Sequence, residues 1–579
     1  MERRQRWEGW GVALLAALLF LPGMASRDLW NPDEPRYAVV AREMLESGQY
    51  FVPHLNGELY SQKPPLLFWL MAASSPFVGG MNETAARLPS GLAAVAAVTL
   101  TFLIGRRLFG RRAAGLAAAS FATGIKLMWQ GRVGQIDMLL VALVTFAVWW
   151  WLRSETEGRP GLGRLFFVTA GLATVAKGPV GLLPPLLSIL AWVGLLRDRA
   201  ALRRLKVGRG LLLWAGVVLL WLAPAGLIAG REYLEPILFK QNLQRYADPW
   251  HHHQPWYYYL TVVPADFFPW SFLLPSALVI GWRRLVGSLR GLRARLAAGT
   301  EEGWAGRGFL FAVCWVVVTI LFFSLSPAKR TVYVLTMFPG LALVVGAGLD
   351  RLLAALDACP AGSAERRALR RWLLAPLIPL AALLTALAAA PLWLESELAA
   401  GGPQAERWLK KVPELPHLPA DLPQTVALWL SLAALGAWLA VWLAGRRRGG
   451  LGLGLLAGGM AASGLGLILG VLPLLNPWKS ARPVVDEFLA RSTAEEPYAV
   501  YPRLDAPVLF YTKRFAEWPK SPEELRTWAT GPGPRWLFIE HDDLDALPFE
   551  LPMTEVARGA DLRDGYVLMS KKVEVPAAP

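Results

Sequence analysis

The feature that most constrains this sequence is a series of long apolar runs separated by short basic segments. A helix of about 20 apolar residues crosses a bilayer. Hydrophobic residues make up 54% of the 579 positions, more than a soluble core accommodates in runs of this length. The sequence therefore predicts an α-helical polytopic membrane protein with about 13 transmembrane helices. The predicted spans lie near residues 10–25, 86–105, 113–128, 136–152, 165–176, 179–196, 211–229, 259–281, 308–325, 332–350, 372–394, 424–445 and 450–474.

The positions of Lys and Arg predict the orientation. If the N-terminus is cytoplasmic, every strongly basic segment falls on the cytoplasmic side, as positive-inside loops do: residues 106–112, 153–164, 197–209, 283–307, 351–371 and 446–448. The net charge of +15 is thus typical of a multi-pass protein of a bacterial inner (plasma) membrane, and nucleic acid is not expected as a partner. Two cysteines are too few for a disulfide framework or a thiolate metal site.

Composition divides the chain into two predicted domains. Residues 1–475 form a transmembrane domain, which includes a first periplasmic loop at residues 26–85, and residues 476–579 form a small soluble periplasmic α/β domain. In the second domain, Ser521-Pro522-Glu523-Glu524 is typical of a helix start. Residues 536–540 and 566–569 favour short strands. The domain shows no catalytic pattern, so we expect a lid, docking or partner-binding role.

The first loop begins with an amphipathic helix that starts near Asn31 and ends at Gly48. Helical spacing places Asp33, Arg36 and Tyr37 on one face. A purely structural interpretation is also open, in which Asn31 caps the helix while Asp33 and its neighbour Glu34 complement the helix dipole.

The same loop ends with Lys63-Pro64-Pro65 and an apolar run at residues 66–77. About 12 residues are too few to cross a bilayer, so the run is expected to lie at the membrane interface among membrane lipids. Lys63 then lies at the depth of a lipid phosphate, although ordinary snorkelling explains a lysine there as well.

Five motifs in order resemble the membrane glycosyltransferases that use lipid-phosphate sugars, including lipid A aminoarabinose transferases and the protein-mannosyltransferase-like group. They are Asp33-Glu34-Pro35-Arg36-Tyr37, Lys63-Pro64-Pro65, Gly131-Arg132 with Asp137, Ala176-Lys177-Gly178-Pro179, and Ser326-Pro327-Ala328-Lys329-Arg330 with Tyr333. The order and sidedness of these motifs agree over nearly the whole chain.

The resemblance implies a GT-C fold and an inverting sugar transfer. The donor would be a polyprenyl-phosphate-linked sugar, such as 4-amino-4-deoxy-L-arabinose or a hexose on undecaprenyl phosphate, and the acceptor a lipid such as lipid A or a glycan at the periplasmic face. In this family the acid matching Asp33 is essential and the lysine matching Lys63 contacts the donor phosphate. Gln62 stands where aminoarabinose transferases have glutamate, which removes a charge from the expected site.

The chemistry assigns roles to the motif residues. Loss of a sugar from a phosphate carrier leaves an anion, which needs fixed cations and hydroxyl donors. The expected phosphate-binding residues are Lys63, Arg36, Tyr37, Lys329, Arg330, Tyr333 and Lys177. The expected catalytic residues are Asp33, which would accept a proton from a hydroxyl acceptor, then Asp137 and Glu34. An ion pair of Asp137 with Arg132 and an interfacial role for Tyr333 are open alternatives.

No cofactor is required by these motifs, but a divalent metal is conceivable. The only histidine candidates are the weak set His251, His252 and His253, whose side chains would point in different directions on a helix. A transporter or flippase of lipid-linked sugars is the main rival function, since it would share the spans and the affinity for polyprenyl phosphate. A scaffold without catalytic activity would leave the charged residues of the first loop unexplained.

Overall fold

The computed structural model describes residues 2–239, 253–282, 301–401, 403–411, 418–559 and 565–571. The described chain is mostly helical, and its strands lie in the first loop and in the C-terminal region. The helices up to residue 282 are α1 (Glu2–Phe20), α2 (Glu34–Ser47), α3 (Leu66–Ser74), α4 (Glu83–Leu108), α5 (Arg111–Ala122), α6 (Ile125–Gln130), α7 (Ile136–Glu157), α8 (Gly163–Lys177), α9 (Leu183–Leu196), α10 (Arg199–Leu205), α11 (Val207–Glu235), α12 (Tyr258–Asp266) and α13 (Trp270–Trp282).

The helices from residue 301 onward are numbered α14 to α24. They are α14 (Glu301–Ser324), α15 (Phe338–Ala358), α16 (Ala364–Ala400), α17 (Pro403–Lys411), α18 (Leu422–Gly445), α19 (Gly449–Gly466), α20 (Asn476–Lys479), α21 (Arg482–Arg491), α22 (Ala506–Thr512), α23 (Pro522–Thr530) and α24 (His541–Asp545). A 3₁₀ helix at Thr331–Met337 precedes α15 directly, and others lie at Ser75–Val78, Pro179–Gly181 and Leu472–Leu475.

In the described residues, nine helical segments are long and apolar enough to cross a membrane, and the bent pair α12 and α13 is a possible tenth. This confirms the multi-pass prediction, but three of the predicted spans are shorter than expected. The one near 10–25 is the apolar part of α1, Trp7–Phe20. The one near 113–128 is divided between α5 and α6 at Thr123-Gly124, and the one near 165–176 is the 15-residue α8, which stops at Gly178. Local breaks, which a count of apolar residues does not detect, shorten the last two.

Small residues let the membrane helices pack closely. A Cβ at Gly436 of α18 would lie 2.6 Å from the Leu455 carbonyl oxygen, and one at Gly459 of α19 would lie 2.5 Å from the Leu432 carbonyl oxygen. Hydrocarbon offers no hydrophobic drive for helix association, so such close backbone contact is the main source of attraction. These glycines therefore fix the pairing of α18 with α19.

The first loop contains α2, a two-stranded hairpin and α3. The hairpin pairs β1 (His54–Leu55) with β2 (Glu58–Leu59) in antiparallel register. Helix α2 ends where the sequence predicted, with Gly48 in the left-handed region at φ 69°. The apolar run at 66–77 also forms the expected short helix, α3, with the 3₁₀ turn Ser75–Val78.

The C-terminal region forms the predicted small α/β fold around a four-stranded sheet. Its strands are β3 (Tyr498–Tyr501), β4 (Arg535–Glu540), β5 (Thr554–Arg558) and β6 (Tyr566–Lys571), in the order β3-β4-β6-β5. The β3–β4 pair is parallel and the other two pairs are antiparallel. Helix α23 starts as predicted, because the Ser521 side chain accepts a hydrogen bond from the Glu524 backbone N–H.

Candidate active site

One cavity of about 130 Å³ gathers residues from all five sequence motifs. It lies between the first loop, the N-terminal end of α7, the C-terminal end of α8 and the segment around the 3₁₀ helix Thr331–Met337. Its charged lining consists of two carboxylates and three cations. They are Asp33, Asp137, Lys63, Lys177 and Arg330.

Asp33 precedes the first residue of α2 and directs its carboxylate into the cavity rather than onto its own helix. No backbone N–H in the first turn of α2 donates a hydrogen bond to the Asp33 side chain. Instead Gln135, which precedes α7, donates a hydrogen bond from Nε2 to Asp33 Oδ2 at 3.1 Å. Gln135 is itself held because its backbone oxygen accepts from Ser90 Oγ at 3.0 Å. Asp33 is thus half-buried, oriented and available to the cavity.

Asp137 pairs with Lys177 across the cavity. Lys177 Nζ donates to Asp137 Oδ1, and the same ammonium lies 5.2 Å from the centre of the Tyr333 ring. The alternative ion pair of Asp137 with Arg132 is wrong, because Arg132 donates to the backbone oxygens of Leu19 and Pro22 instead. A carboxylate, a cation and a phenol from three separate motifs therefore meet at one point.

Tyr37 and Lys63 complete the wall formed by the first loop. The Tyr37 ring packs against Phe68 with ring centres 5.5 Å apart, which ties α2 to α3. Burial, and then the nearby Asp33 carboxylate, raise the pKa of Tyr37 well above its ordinary value. Its hydroxyl is therefore neutral at physiological pH and can donate a hydrogen bond.

Two of the expected phosphate-binding cations do not line this cavity. Lys329 is buried, and its ammonium donates to the backbone oxygens of Gln254 at 3.0 Å and Ser326 at 2.6 Å. Those carbonyls hold the turn before the 3₁₀ helix, so Lys329 has a structural position and its neighbour Arg330 is the residue that lines the cavity. Arg36 is half-buried on α2 and also lies outside the lining.

Glu34 also lies outside the cavity, in a buried network of its own. Arg27 Nη2 lies 2.7 Å from Glu34 Oε2 and Arg87 Nε lies 2.8 Å from Oε1, which also accepts from the Gly134 backbone N–H at 2.8 Å. Burial by itself would raise the pKa of Glu34, but the charges of Arg87 and Arg27 outweigh it and lower the pKa to about 2. With both oxygens engaged by arginines, Glu34 is placed to hold the loop together rather than to move a proton.

The alternative in which Asn31 caps α2 is wrong as well. Its side-chain amide donates to Asp505 Oδ2 at 3.3 Å and to the Tyr566 hydroxyl at 3.2 Å, both in the C-terminal region, and it does not cap α2. The start of the first loop therefore reaches the C-terminal sheet domain directly.

Metal ligands do not converge in the part of the chain that the structure describes. No group of three or more His, Cys, Asp and Glu side chains has the geometry to hold an ion there. His253 is exposed and pairs through its backbone with Ala328, while His251 and His252 lie outside the described residues. Of the two cavity carboxylates, one accepts from Gln135 and the other from Lys177, so this donor set does not fit a divalent cation.

Sequence reasoning missed three residues that build the site: Gln135, Arg27 and Arg87. Arg87 carried a usable signal, because an arginine inside a predicted apolar span requires a partner. It donates to the backbone oxygens of Met24, Arg27 and Asp28 in addition to Glu34. Gln135 had no such signal beyond its place two residues before Asp137.

The fold and this cavity define a polytopic membrane protein of the GT-C type. Over 99% of both chains it superposes on ArnT from Cupriavidus metallidurans bound to undecaprenyl phosphate, with a TM-score of 0.77 and 21% sequence identity. The apo state of the same protein gives a TM-score of 0.73. These likenesses confirm the GT-C fold, including the small sheet domain.

The sequence comparisons agree with the resemblance inferred from the motifs. Residues 62–224 match a family model described as dolichyl-phosphate-mannose-protein mannosyltransferase. The chain is 32% identical over 350 residues to undecaprenyl phosphate-alpha-4-amino-4-deoxy-L-arabinose arabinosyl transferase 2 of Sodalis glossinidius, and 31% identical over 355 residues to the corresponding transferase of Edwardsiella ictaluri. The matched part is 58% and 59% of this chain and spans 58% and 60% of those relatives.

Proposed function

We propose that this protein is an inverting glycosyltransferase that moves a sugar from undecaprenyl phosphate to an acceptor at the outer face of a bacterial inner membrane. The observation that carries the proposal is that Asp33 and Lys63 line one cavity together with Lys177 and Arg330. Relatives similar over more than half of the chain are named as arabinosyl transferases that use an undecaprenyl phosphate donor, which supports the same donor class here.

The cations of the cavity suit the phosphate of such a donor. In the proposed reaction the acceptor oxygen attacks the anomeric carbon, and the bond from that carbon to the phosphate oxygen breaks with its electron pair left on the phosphate. Lys63, Lys177 and Arg330 would stabilise the charge that develops, with the Tyr37 hydroxyl as a neutral donor. The carrier supplies an activated sugar, so no nucleotide site is needed.

The role of Asp33 depends on the acceptor. A hydroxyl acceptor would pass its proton to the Asp33 carboxylate, which Gln135 holds in place. A phosphate acceptor, as on lipid A, is already anionic, and Asp33 would then orient it or pair with the amine of an amino sugar. We propose a lipid acceptor such as lipid A, and 4-amino-4-deoxy-L-arabinose as the first sugar to test. Since the cavity carboxylates do not fit a divalent cation, we propose transfer without a metal cofactor.

Transport of the lipid-linked sugar is the alternative, and the placement of charge disfavours it. Asp33 and Lys63 lie in the first loop, Asp137 lies in the first turn of α7, and Lys177 is the last residue of α8. A transporter places its polar site near the bilayer midplane, whereas these groups lie at helix ends on one side of the bundle.

Purified protein in detergent tests the proposal with undecaprenyl-phosphate aminoarabinose and lipid A, and the product is read by mass spectrometry. We expect modified lipid A from the wild type and a loss of at least about 100-fold in Asp33→Asn, within the range of a positioned acid or base. Glu46→Gln is the matched control, since Glu46 lies on the same helix with its side chain 54% exposed and outside the cavity. No product in detergent, together with movement of the donor across sealed vesicles, would identify a transporter instead.

A further inference from the structure

A second cavity, of about 190 Å³, lies at the opposite end of the bundle from the candidate active site. Helix α15 connects the two places. It begins directly after the 3₁₀ helix that carries Tyr333, and it ends at Ala358 beside the second cavity. Its 21 residues correspond to a separation of about 30 Å, the thickness of a bilayer core.

Arginines from two chain segments line this second cavity. Arg366 and Arg370 come from the first turns of α16, and Arg447 comes from the turn between α18 and α19. Within the described residues, Arg370 and Arg447 make no hydrogen bond or ion pair to another side chain. Arg366 Nη1 donates to the Leu356 and Cys359 backbone oxygens at 3.0 and 3.1 Å, which holds it at the end of α15.

The carboxylate in the lining does not neutralise these arginines. Asp357 Oδ2 lies 3.1 Å from Arg112 Nη1, so it already has a cationic partner outside the cavity. The floor is apolar, formed by Leu353, Leu356 and Leu373. The cavity therefore offers guanidinium groups at its rim and hydrocarbon beneath them.

The backbone at Arg447 forms the left-handed turn that ends α18. Its φ of 63° lies in the left-handed region, and the backbone N–H groups of Arg446 and Arg448 both donate to the Leu443 oxygen, which closes the end of α18. Glycine is the residue that this position favours, and arginine is strained there. This turn sets the backbone position from which the Arg447 side chain joins the cavity lining.

We propose that this cavity binds the phosphate headgroup of an anionic phospholipid, with an acyl chain over the leucine floor. Arginines recognise phosphate through paired N–H donors, and basic pockets between membrane helices on the positive side bind such headgroups. A soluble phosphate would use the same arginines but would gain nothing from the leucines. The site is separate from the proposed sugar transfer, so each can fail without the other.

Native mass spectrometry of the purified full-length protein tests the proposal with cardiolipin, phosphatidylglycerol and phosphatidylcholine. We expect the two anionic lipids to bind, and Arg370→Gln/Arg447→Gln to weaken that binding about tenfold or more. The matched control is Arg371→Gln/Arg448→Gln, which removes the same charge from neighbouring exposed positions outside the lining. The proposal would be overturned if the two double variants lost anionic-lipid binding equally. It would also be overturned if phosphatidylcholine bound as well as the two anionic lipids.

Arg447→Gly separates binding from folding. It relieves the left-handed strain, so we expect an unchanged or higher thermal midpoint in lipid-free detergent together with weaker binding of cardiolipin. Arg447→Asn, which also tolerates this conformation, should behave in the same way. Unchanged lipid binding in these variants, or displacement of the lipid by millimolar glycerol phosphate, would contradict the proposal.

Discussion

Asp33 and Glu34 are adjacent carboxylates in opposite environments. Asp33 is half-buried and faces the cavity, with one hydrogen bond from Gln135. Glu34 is buried between Arg27 and Arg87 and does not line the cavity. One step along the chain at the start of a helix turns the side chain by about 100°, which is sufficient to separate the two roles.

Substitution of Glu34 should destabilise the protein rather than alter its chemistry directly. Glu34→Gln leaves Arg27 and Arg87 buried without their counter-charge, which costs about 3 to 5 kcal/mol in comparable buried pairs. We expect a clearly lower thermal midpoint in detergent, with Glu46→Gln as the control on the exposed face of α2. A Glu34→Gln protein as stable as the wild type would show that the network does not hold the loop.

The difference in stability between wild type and Glu34→Gln should depend on pH, and the sign of the Glu34 pKa shift gives its direction. The pKa of Glu34 falls from 4.5 to about 2 on folding, so its contribution is complete above pH 4.5 and is lost as the pH falls toward 2. The gap in thermal midpoint between wild type and Glu34→Gln should therefore narrow between about pH 5 and pH 3. A gap that stays constant over this range would contradict the assignment.

At the scale of elements, the sequence was most informative where local chemistry decides the structure. The end of α2 at Gly48 and the start of α23 at Ser521 depend on residues within one turn, and both were predicted. The motif residues Asp33, Lys63, Asp137 and Lys177 were also predicted to act together, and all line one cavity.

The remaining features depend on contacts between distant parts of the chain. Glu34 and Arg87 are 53 residues apart, and nothing in the local sequence around either residue indicates that they pair with each other. An ion pair of Asp137 with its near neighbour Arg132 was an open alternative, but the observed partner is Lys177, 40 residues away. Lys329 and Arg330 were equivalent in the sequence, and the structure distinguishes them because the Lys329 ammonium donates to the Gln254 and Ser326 backbone oxygens whereas Arg330 lines the cavity.

The turn between α6 and α7 can be tested as an element. A Cβ at Gly134 would lie 2.7 Å from the Ala86 backbone oxygen, so Gly134→Ala must shift the turn that positions Gln135 and donates to Glu34. We expect a loss of activity and about 1 to 3 kcal/mol of stability. Gly115→Ala is the control, because a Cβ there meets nothing within 4 Å and alanine favours the helix. Equal activity and equal stability of Gly134→Ala and Gly115→Ala would show that the turn tolerates displacement.

At the scale of the whole molecule, the C-terminal sheet domain is docked on the first loop through partly buried polar contacts. The Tyr511 hydroxyl accepts from the Leu29 backbone N–H at 2.8 Å, and Arg482 Nη1 lies 3.2 Å from Asp28 Oδ1. Asn56 at the hairpin exchanges two hydrogen bonds with the Ala516 backbone, both at 2.9 Å. These contacts surround α2, so the domain is placed to hold Asp33 in position although it contributes no residue to the cavity lining.

Arg42 provides the sharpest test of that coupling. It lies on the buried face of α2, and its guanidinium donates to the Leu509 and Phe510 backbone oxygens at the C-terminal end of α22. Arg42→Ala removes these bonds. The Phe510 oxygen then loses the donor that Arg42 supplies, which costs about 1 to 3 kcal/mol, whereas the Leu509 oxygen keeps the Lys513 backbone N–H as a donor.

We expect Arg42→Ala to reduce sugar transfer and to increase hydrogen exchange in both α2 and α22, because loosening one side of the interface frees the other. Arg503→Ala is the matched control, since Arg503 lies in the same domain with its side chain 77% exposed and pairs only at the surface with Glu540. If hydrogen exchange rises in α22 alone while sugar transfer is unchanged, the C-terminal sheet domain does not support the active site. Asp33 would then be held by Gln135 and the transmembrane helices without the sheet domain.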